Sequence, residues 1–302
     1  MPKATVLPSD IKNKHKRENL YHKLRKEKIK AKSDRRKQLA KDEEKNPELK
    51  EKRLRENVPK TLDNTREKDD TMADDDDEVA QDEALDGLAS YFTGTKSKVV
   101  VTTSKRCSKV CYEFCAELVS MFPDAQFAKR GSNHEIRQII KVAIDKGFTD
   151  MLIVNEDKKT PNAITLIHLP DGPTAYFKLT SFIPSKKISG HGVVTAHNPE
   201  IILNNFNTRL GHTVGRMFQA LFPQLPEFQG RQVVTFHNQR DFIFVRRHRY
   251  VFRDTEKVGL QELGPKFTLK LKWLQKGTYK RDGEYEWFFK PEMETSRKRF
   301  FL

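Results

Sequence analysis

The residues best suited to chemistry in this sequence are arginines set among aromatic and β-branched residues between Gly230 and Phe252. An arginine presents a planar fork of N–H donors that matches phosphate oxygens, and aromatic rings can stack on nucleobases. The stretch therefore indicates contact with a polyanion such as RNA. The arginines within it are Arg231, Arg240, Arg246, Arg247 and Arg249.

A β-hairpin must position these arginines. Residues 233–236 form one β-prone run, residues 237–241 carry turn-forming side chains, and residues 242–252 form a second, longer run. Side chains alternate between the two faces of a strand, so each face carries basic groups in its middle. Because burying unpaired cations is costly, we expect residues 233–245 to lie in the core and residues 246–249 to leave the sheet and contact RNA or an acidic protein. An edge strand protected by its charge is the alternative interpretation.

Two predicted helix entrances form a second group of candidate sites. Ser104 is a plausible N-cap followed by Lys105 and Arg106, and Thr208 precedes Arg209 in the same way. The unpaired N–H groups and the dipole of a helix N-terminus favour an anion, so the sequence predicts phosphate contacts here, with ordinary capping as the alternative. The predicted RNA-binding residues are Lys105, Arg106, Arg209, Arg231, Arg240, Arg246, Arg247 and Arg249.

The sequence gives little support to catalysis or to metal binding. It contains no Walker loop, GxGxxG, nucleophile elbow or HExxH motif, and its nine histidines are scattered. Cys107, Cys111 and Cys115 recur every four residues in one apparent helix, a spacing that predicts small core residues and reduced thiols. We therefore predict a non-enzymatic protein with no catalytic residue, no metal, no cofactor and no small-molecule substrate.

Charge divides the chain of 302 residues into regions. Residues 1–60 hold 21 Lys and Arg against 10 Asp and Glu, residues 61–90 hold 2 against 12, and the remainder holds 34 against 20. The first two regions have too few apolar residues to offset chain entropy. We predict a basic arm (1–60) that is disordered alone or helical on RNA, an acidic linker (61–90) that shields the arm or acts as a spacer, a folded domain (91–290) and a basic C-terminal tail (291–302).

A soluble protein without membrane contact is expected. The polar, lysine-rich N-terminal region predicts no secretory signal, and no apolar run approaches the roughly 20 residues that a membrane span needs.

The folded domain is predicted to contain two related α/β halves, at about 91–185 and 197–290. Each half has a strand followed by an amphipathic helix that ends in Phe-Pro, and GPTAYFKL (172–179) is echoed by GPKFTLKL (264–271). Only the first half shows a second helix, which is predicted to begin with a capping box of Ser132 and Glu135. In the last strand, Phe267, Leu269, Leu271 and Trp273 are predicted to share one face.

Several long segments resemble the Brix-domain family, over about residues 90–302. They are LPDGPTAYFKL (169–179), PEIILNNFNTRLGHTVGRMFQALFP (199–223), GRQVVTFHNQRDFIFVRRHRYVF (230–252), QELGPKFTLKLKWLQKGTY (261–279) and TSRKRFFL (295–302). The resemblance implies two pseudo-symmetric α/β halves, each similar to the anticodon-binding domain of class II aminoacyl-tRNA synthetases. It also implies a nuclear, nucleolar factor that binds pre-ribosomal RNA, acts beside a dedicated protein partner, and supports assembly and pre-rRNA processing of the large (60S) ribosomal subunit.

Two other functions stay open at this point. One is a protein-interaction scaffold of the pre-ribosome, in which the aromatic hairpin docks a partner and RNA contact is incidental. The other is an RNA-processing nuclease.

Overall fold

The computed structural model describes residues 8–61, 63–67, 71–73, 81, 86–92, 94, 96–131, 133–254, 257–280, 283–296 and 298–302. The chain divides into two compact units, Met1–Thr65 and Arg66–Leu302. No helix in this described part of the chain is both long enough and apolar enough to cross a membrane.

The first unit is built on two charged helices, α1 (Lys14–Lys45) and α2 (Pro47–Glu56). The side-chain oxygen of Asn13 caps α1, and Pro47 occupies the first turn of α2, where its missing N–H costs nothing. Neither helix has a buried residue, and Arg53 of α2 pairs with Glu43 of α1. Their sequences therefore form helices through good helix formers and ion pairs, without an apolar face to pack.

The second unit is organised around one mixed sheet. Its described strands are β1 (Val99–Thr103), β2 (Gln126–Phe127), β3 (Asp150–Asp157), β4 (Thr160–His168), β5 (Thr174–Ile183), β6 (Glu200–Asn204), β7 (Gln232–Gln239), β8 (Phe242–Phe252), β9 (Val258–Glu262), β10 (Lys266–Gln275) and β11 (Tyr285–Phe288). Its described α-helices with defined bounds are α3 (Ala89–Phe92), α4 (Lys109–Met121), α5 (Ile136–Asp145) and α6 (Arg209–Gln219).

The strand order of the sheet has a similar pattern on either side of its centre. The sheet runs β2-β1-β3-β4-β5-β10-β8-β7-β6, with β9 beside β8 and β11 beside β10. In each half a strand is followed by a parallel neighbour in the sheet, β3 beside β1 and β7 beside β6. The first connection contains α4, β2 and α5, and the second contains α6. Two antiparallel pairings follow in each half, β3-β4-β5 and β7-β8-β10. The halves meet where β5 pairs antiparallel with β10. The described residues show no second-half counterpart of α5.

The sheet buries one apolar layer on each face. Helices α4 and α6 pack on one face against a core that includes Val101, Phe177, Phe236 and Phe267. Helix α5 packs on the other face against a smaller cluster that includes Val100. Because successive strand residues point to opposite faces, Val100 and Val101 enter different cores.

Strand β10 corrects one sequence-based expectation. Its register against β5 shifts between Leu271 and Trp273, so Leu274 and not Trp273 continues the buried row. Trp273 instead stacks on Tyr176, with ring centroids 5.3 Å apart. The sequence alternates as far as Trp273, which predicts a common face with Leu271, and the irregular pairing with β5 changes that face.

The start of α5 also differs from its prediction. The helix begins at Ile136, and Glu135 is its N-cap, in a capping box that it forms with Gln138. The other residue of the predicted box, Ser132, lies outside the described residues. The helix C-cap is Lys146, and Gly147 follows in the left-handed conformation, a common C-terminal signal.

Two segments outside the repeat pack on the main core. Leu88 and Tyr91, at the junction of the predicted linker and domain, are buried. Leu302 is also buried, and Asp241 accepts the backbone N–H groups of Phe301 and Leu302 at 2.7 and 2.9 Å. The segment predicted as a basic tail thus ends in apolar residues that contribute to the core.

Candidate nucleic-acid interface

The hairpin that carries five of the predicted RNA contacts is longer and more regular than expected. Strands β7 and β8 are joined by Arg240 and Asp241, which both have positive φ, as a two-residue turn between twisted strands requires. Strand β8 does not leave the sheet at residue 246. It continues to Phe252, because β9 takes the edge position beside residues 248–252 after the pairing of β8 with β10 ends at Val245.

Burial removes Arg247 from the predicted RNA surface. The side chain lies on the α4 face of the sheet, and only 2% of the residue is exposed. Its guanidinium donates to the backbone carbonyl of Ser120 at 2.7 Å and to Oε1 of Gln232 at 2.8 Å. Desolvation lowers the pKa of Arg247 to about 10. The buried guanidinium therefore joins α4 to β7 through hydrogen bonds. The alternation of side chains in the sequence could not show which face of β8 is covered by a helix.

Arg246 points to the opposite face of the sheet. It is half-buried and donates to the backbone carbonyls of Val245 and Phe267 at 2.8 and 3.2 Å, while burial lowers its pKa. No described helix covers this face in the second half. Other cations on the same face are Lys178, Lys270 and Lys272.

The remaining hairpin arginines divide between its two ends. Arg231 is exposed in a left-handed conformation next to the Gln232–Arg249 pair, and Arg249 is half-buried. Arg240 is exposed in the turn at the far end of the eight-residue pairing of β7 with β8. Since a strand rises roughly 3.3 Å per residue, about 20 Å separates the two ends. They do not form one compact site.

The first helix entrance is not an open anion site. Helix α4 begins at Lys109 with Ser108 at its N-cap, so the predicted cap Ser104 is wrong. The carboxylate of Glu156 accepts the backbone N–H of Ser108 at 2.6 Å and its hydroxyl at 2.9 Å. A protein carboxylate therefore already occupies the position where phosphate was expected. Lys105 and Arg106 are exposed in the turn before the helix.

The second helix entrance is capped as predicted, with the Thr208 side chain accepting the N–H of Gly211 at 2.8 Å. Arg209 is exposed at the first helical position, and its backbone N–H donates to the carbonyl of Thr71. Arg209 lines a cavity of about 500 Å³ that contains three cations and three carboxylates. They are Arg209, Arg216, Lys276, Asp86, Asp171 and Glu286. This balance of charge favours phosphate less than a uniformly basic cleft would.

Lys105 lies in a more basic cleft that the sequence reasoning missed. A cavity of about 390 Å³ is lined by Lys105, Arg130, Arg137 and Tyr279, together with Glu135 and Ile136. The missed signal was the spacing of Arg137, Ile140, Lys141 and Ile144, which places both cations on one side of α5. The periodic aliphatic residues of α5 predict a helix face that packs on the core, and they do not indicate the basic side of the same helix.

Cys111 and Cys115 lie on one side of α4, as expected, whereas Cys107 precedes the N-cap Ser108 and is not part of the helix. The Sγ atoms of Cys107 and Cys111 and a carboxylate oxygen of Glu156 lie within 4.8 Å of one another, a spacing that could hold a metal ion. Burial raises the pKa of Cys107, and a hydrogen bond with Cys115 together with burial raises that of Cys111. Glu156 is also engaged by Ser108. Because Cys111 and Cys115 are also buried in the main core, the arrangement fits a packing role.

Comparison with known proteins places these features in context. A family model described as the Brix domain matches residues 104–273. Ribosome production factor 1 of Saccharomyces cerevisiae is 50% identical over 296 residues, covering 97% of this chain and 98% of the yeast protein. Ribosome production factor 1 of Mus musculus is 50% identical over 311 residues, covering 99% and 88% of the two chains. A solved structure of a probable ribosomal biogenesis protein from Aeropyrum pernix K1 is 17% identical, covers 58% of this chain and 96% of that one, and has a TM-score of 0.45.

Proposed function

The chain belongs to the Brix-domain family, and from this premise we propose that it is a non-enzymatic assembly factor that binds pre-rRNA and supports biogenesis of the large (60S) ribosomal subunit in the nucleolus. The observation that carries the proposal is the identity of about half of the residues with ribosome production factor 1, over nearly the whole of both chains. The names of these relatives point to ribosome production.

The distribution of charge supports RNA as the ligand. The chain has a net charge of +15, and α1 and α2 bring many cations to two helices without a buried residue. Exposed cations of this density attract the phosphate backbone with little sequence preference, and they release counterions on binding. The proposed role of the arm is therefore to hold neighbouring RNA while the folded unit contacts structured pre-rRNA by shape and phosphate.

A dedicated protein partner within the pre-ribosome is part of the proposal. The ribbon of β8 and β9 exposes apolar side chains along its length. The most exposed are Phe252 (69%) and Leu260 (64%). This observation favours the second candidate function, a scaffold whose ribbon docks a protein and whose RNA contact is incidental.

The test is residue-by-residue RNA crosslinking on intact pre-ribosomes, combined with analysis of pre-rRNA after depletion of the protein. The proposal expects crosslinks in both the arm and the folded unit, and accumulation of large-subunit precursors. Crosslinks confined to the arm would support the scaffold. Accumulation of small-subunit precursors alone would contradict the assignment to the large subunit.

A further inference from the structure

The most informative unexplained feature is a groove along one side of α5, called here the α5 groove. Its first part is the 390 Å³ cavity that contains Lys105 and Arg130, and its second part is a neighbouring cavity of about 380 Å³. Arg137 and Tyr279 line both parts, so the two cavities adjoin. The second part is lined by Arg137, Ile140, Lys141, Ile144, Thr278, Tyr279 and Lys280.

The first part of the groove suits an anion. Three cations face one carboxylate, that of Glu135, which already accepts a backbone N–H at the start of α5. Among the described residues, Lys105, Arg130 and Arg137 form no ion pair with a carboxylate, and the Arg130 guanidinium donates to the backbone carbonyl of His134 at 3.0 and 3.2 Å. Cations that converge without neutralisation create a positive potential that a phosphate would relieve.

The second part of the groove suits a flat apolar group. Ile140, Ile144 and Tyr279 form its apolar lining, and 37% of Ile144 is exposed. Ile140 is followed by Lys141 on the helix, so a cation stands beside this lining. An aromatic and aliphatic surface of this kind accepts the face of a nucleobase, whose π-system stacks without regard to sequence.

The position of Tyr279 is fixed before any ligand binds. Gln275 is fully buried and holds Lys280 through both backbone groups, accepting its N–H at 3.2 Å and donating to its carbonyl at 2.7 Å. The ring of Tyr279 lies 6.2 Å from that of Trp273. A platform held in this way loses little conformational entropy when a ligand stacks on it.

We propose that the α5 groove binds one nucleotide of single-stranded RNA, with its phosphate against Lys105, Arg130 and Arg137 and its base stacked on Tyr279. This inference rests on the proposed RNA-binding function and deepens it by naming a site. A base within a duplex is stacked on its neighbours, so the groove selects unpaired RNA. An acidic peptide could meet the cations but would leave the Tyr279 platform unused.

The test measures the affinity of the full chain for a single-stranded oligoribonucleotide of about 10 nucleotides and for an abasic oligomer with the same backbone. Wild-type protein should prefer the oligomer that carries bases, and Tyr279→Ala should remove this preference, with a loss of about 10-fold in affinity for that oligomer. Tyr279→Phe keeps the ring and should behave as wild type. Lys105→Glu and Arg137→Glu should weaken both oligomers, whereas the matched control Lys186→Glu, an exposed lysine outside the groove, should have a much smaller effect.

Photocrosslinking of a thiouridine-containing oligomer tests the α5 groove separately from the proposed RNA-binding function of the whole chain. Crosslinks to groove residues should disappear in Arg137→Glu, while crosslinks to the arm persist as an internal control. No RNA binding by the folded full chain would overturn both the site and the proposed function. Arm crosslinks without groove crosslinks, or displacement of RNA from the groove by a poly-glutamate peptide at equal concentration, would overturn the site alone.

Discussion

Arg246 and Arg247 are adjacent in sequence and have different roles in the structure. Arg246 lies on the face opposite α4, which no described helix covers in the second half, whereas Arg247 is enclosed beneath α4. The difference follows from the alternation of side chains in a strand, which sends neighbours to opposite faces. Substitution of Arg247 should therefore affect the stability of the fold, whereas substitution of Arg246 should affect the exposed surface of the sheet.

For Arg247 we predict a loss of stability rather than a weaker affinity for RNA. Arg247→Ala removes the donors that satisfy Ser120 and Gln232 and leaves a cavity, so the free energy of unfolding should fall by about 2–4 kcal/mol. Chemical denaturation measures this change. Arg249→Ala, at a half-buried position, is the matched control and should cost less than about 1 kcal/mol. A weaker RNA affinity in Arg247→Ala protein that remains fully folded would contradict this role.

Asp241 gives a pH-dependent prediction. Burial raises the pKa of its carboxyl above the ordinary value of 3.8, against the lowering effect of the N–H groups of Leu302 and Phe301. The folded state therefore binds the proton more tightly than the unfolded chain, so the contribution of Asp241 to stability is greatest below the ordinary pKa and is lost as pH rises through the raised pKa. Asp241→Asn keeps an acceptor oxygen and should abolish this dependence.

Asp241→Ala removes the acceptor as well. It should lower the free energy of unfolding at neutral pH by about 2 kcal/mol relative to Asp241→Asn, because two buried N–H groups lose their partner. Unfolding titrations of the three proteins across the acidic range measure both effects. Equal pH dependence in Asp241→Asn and wild type would show that another group is responsible.

At the scale of elements, the approach of two loops fixes the geometry beside the α5 groove. Gly172 has a φ of +98°, and a Cβ at this position would lie 2.2 Å from the backbone carbonyl carbon of Gly277. Thr174 also donates a hydrogen bond to the Gly277 carbonyl at 2.9 Å. The turn before β5 thus holds the loop that carries Tyr279.

For this turn we predict a large effect of a single methyl group. Gly172→Ala should lower the free energy of unfolding by about 3–5 kcal/mol, because backbone atoms on both sides must move. Gly190→Ala is the control, since Gly190 also has a positive φ but its Cβ would meet open space. Gly190→Ala should lower the free energy of unfolding by about 1–2 kcal/mol, which is the strain of the left-handed conformation alone. Equal losses of stability in the two variants would contradict close packing at Gly172.

At the scale of the whole molecule, basic charge is concentrated in the arm (residues 1–60), and we expect the arm to contribute strongly to non-specific RNA binding. Residues 1–60 hold 21 of the 57 Lys and Arg residues of the chain. We predict that deletion of this arm flattens the dependence of RNA affinity on salt, by about 0.7–0.9 in log–log slope for each phosphate that the arm neutralises. Affinity titrations of structured pre-rRNA over a salt series measure the slope.

A shuffled arm of the same composition is the matched control for that deletion. If charge alone determines the contribution of the arm, the shuffled protein should keep the wild-type slope. Circular dichroism of the arm should also show helicity rising when RNA neutralises its self-repulsion. A slope that is unchanged by deletion would show that the folded unit neutralises the phosphates.

Sequence alone determined the features that depend on local pattern. The alternation of residues 233–252 predicts a hairpin, and the two Gly-Pro segments predict related halves, because strand period and turn chemistry are local properties. Net charge is likewise a sum over residues, so the basic character of residues 1–60, and the prediction that they attract polyanions, need no knowledge of the fold.

Only the tertiary structure decided which face of each element is covered and which distant residues meet. Helix α4 lies over Arg247 and not over Arg246, and the shifted register of β10 turns Trp273 away from the core. Arg137 and Tyr279 are far apart in the chain and line one groove because α5 packs on the sheet beside the end of β10. Such pairings depend on packing between elements, and local periodicity carries no information about them.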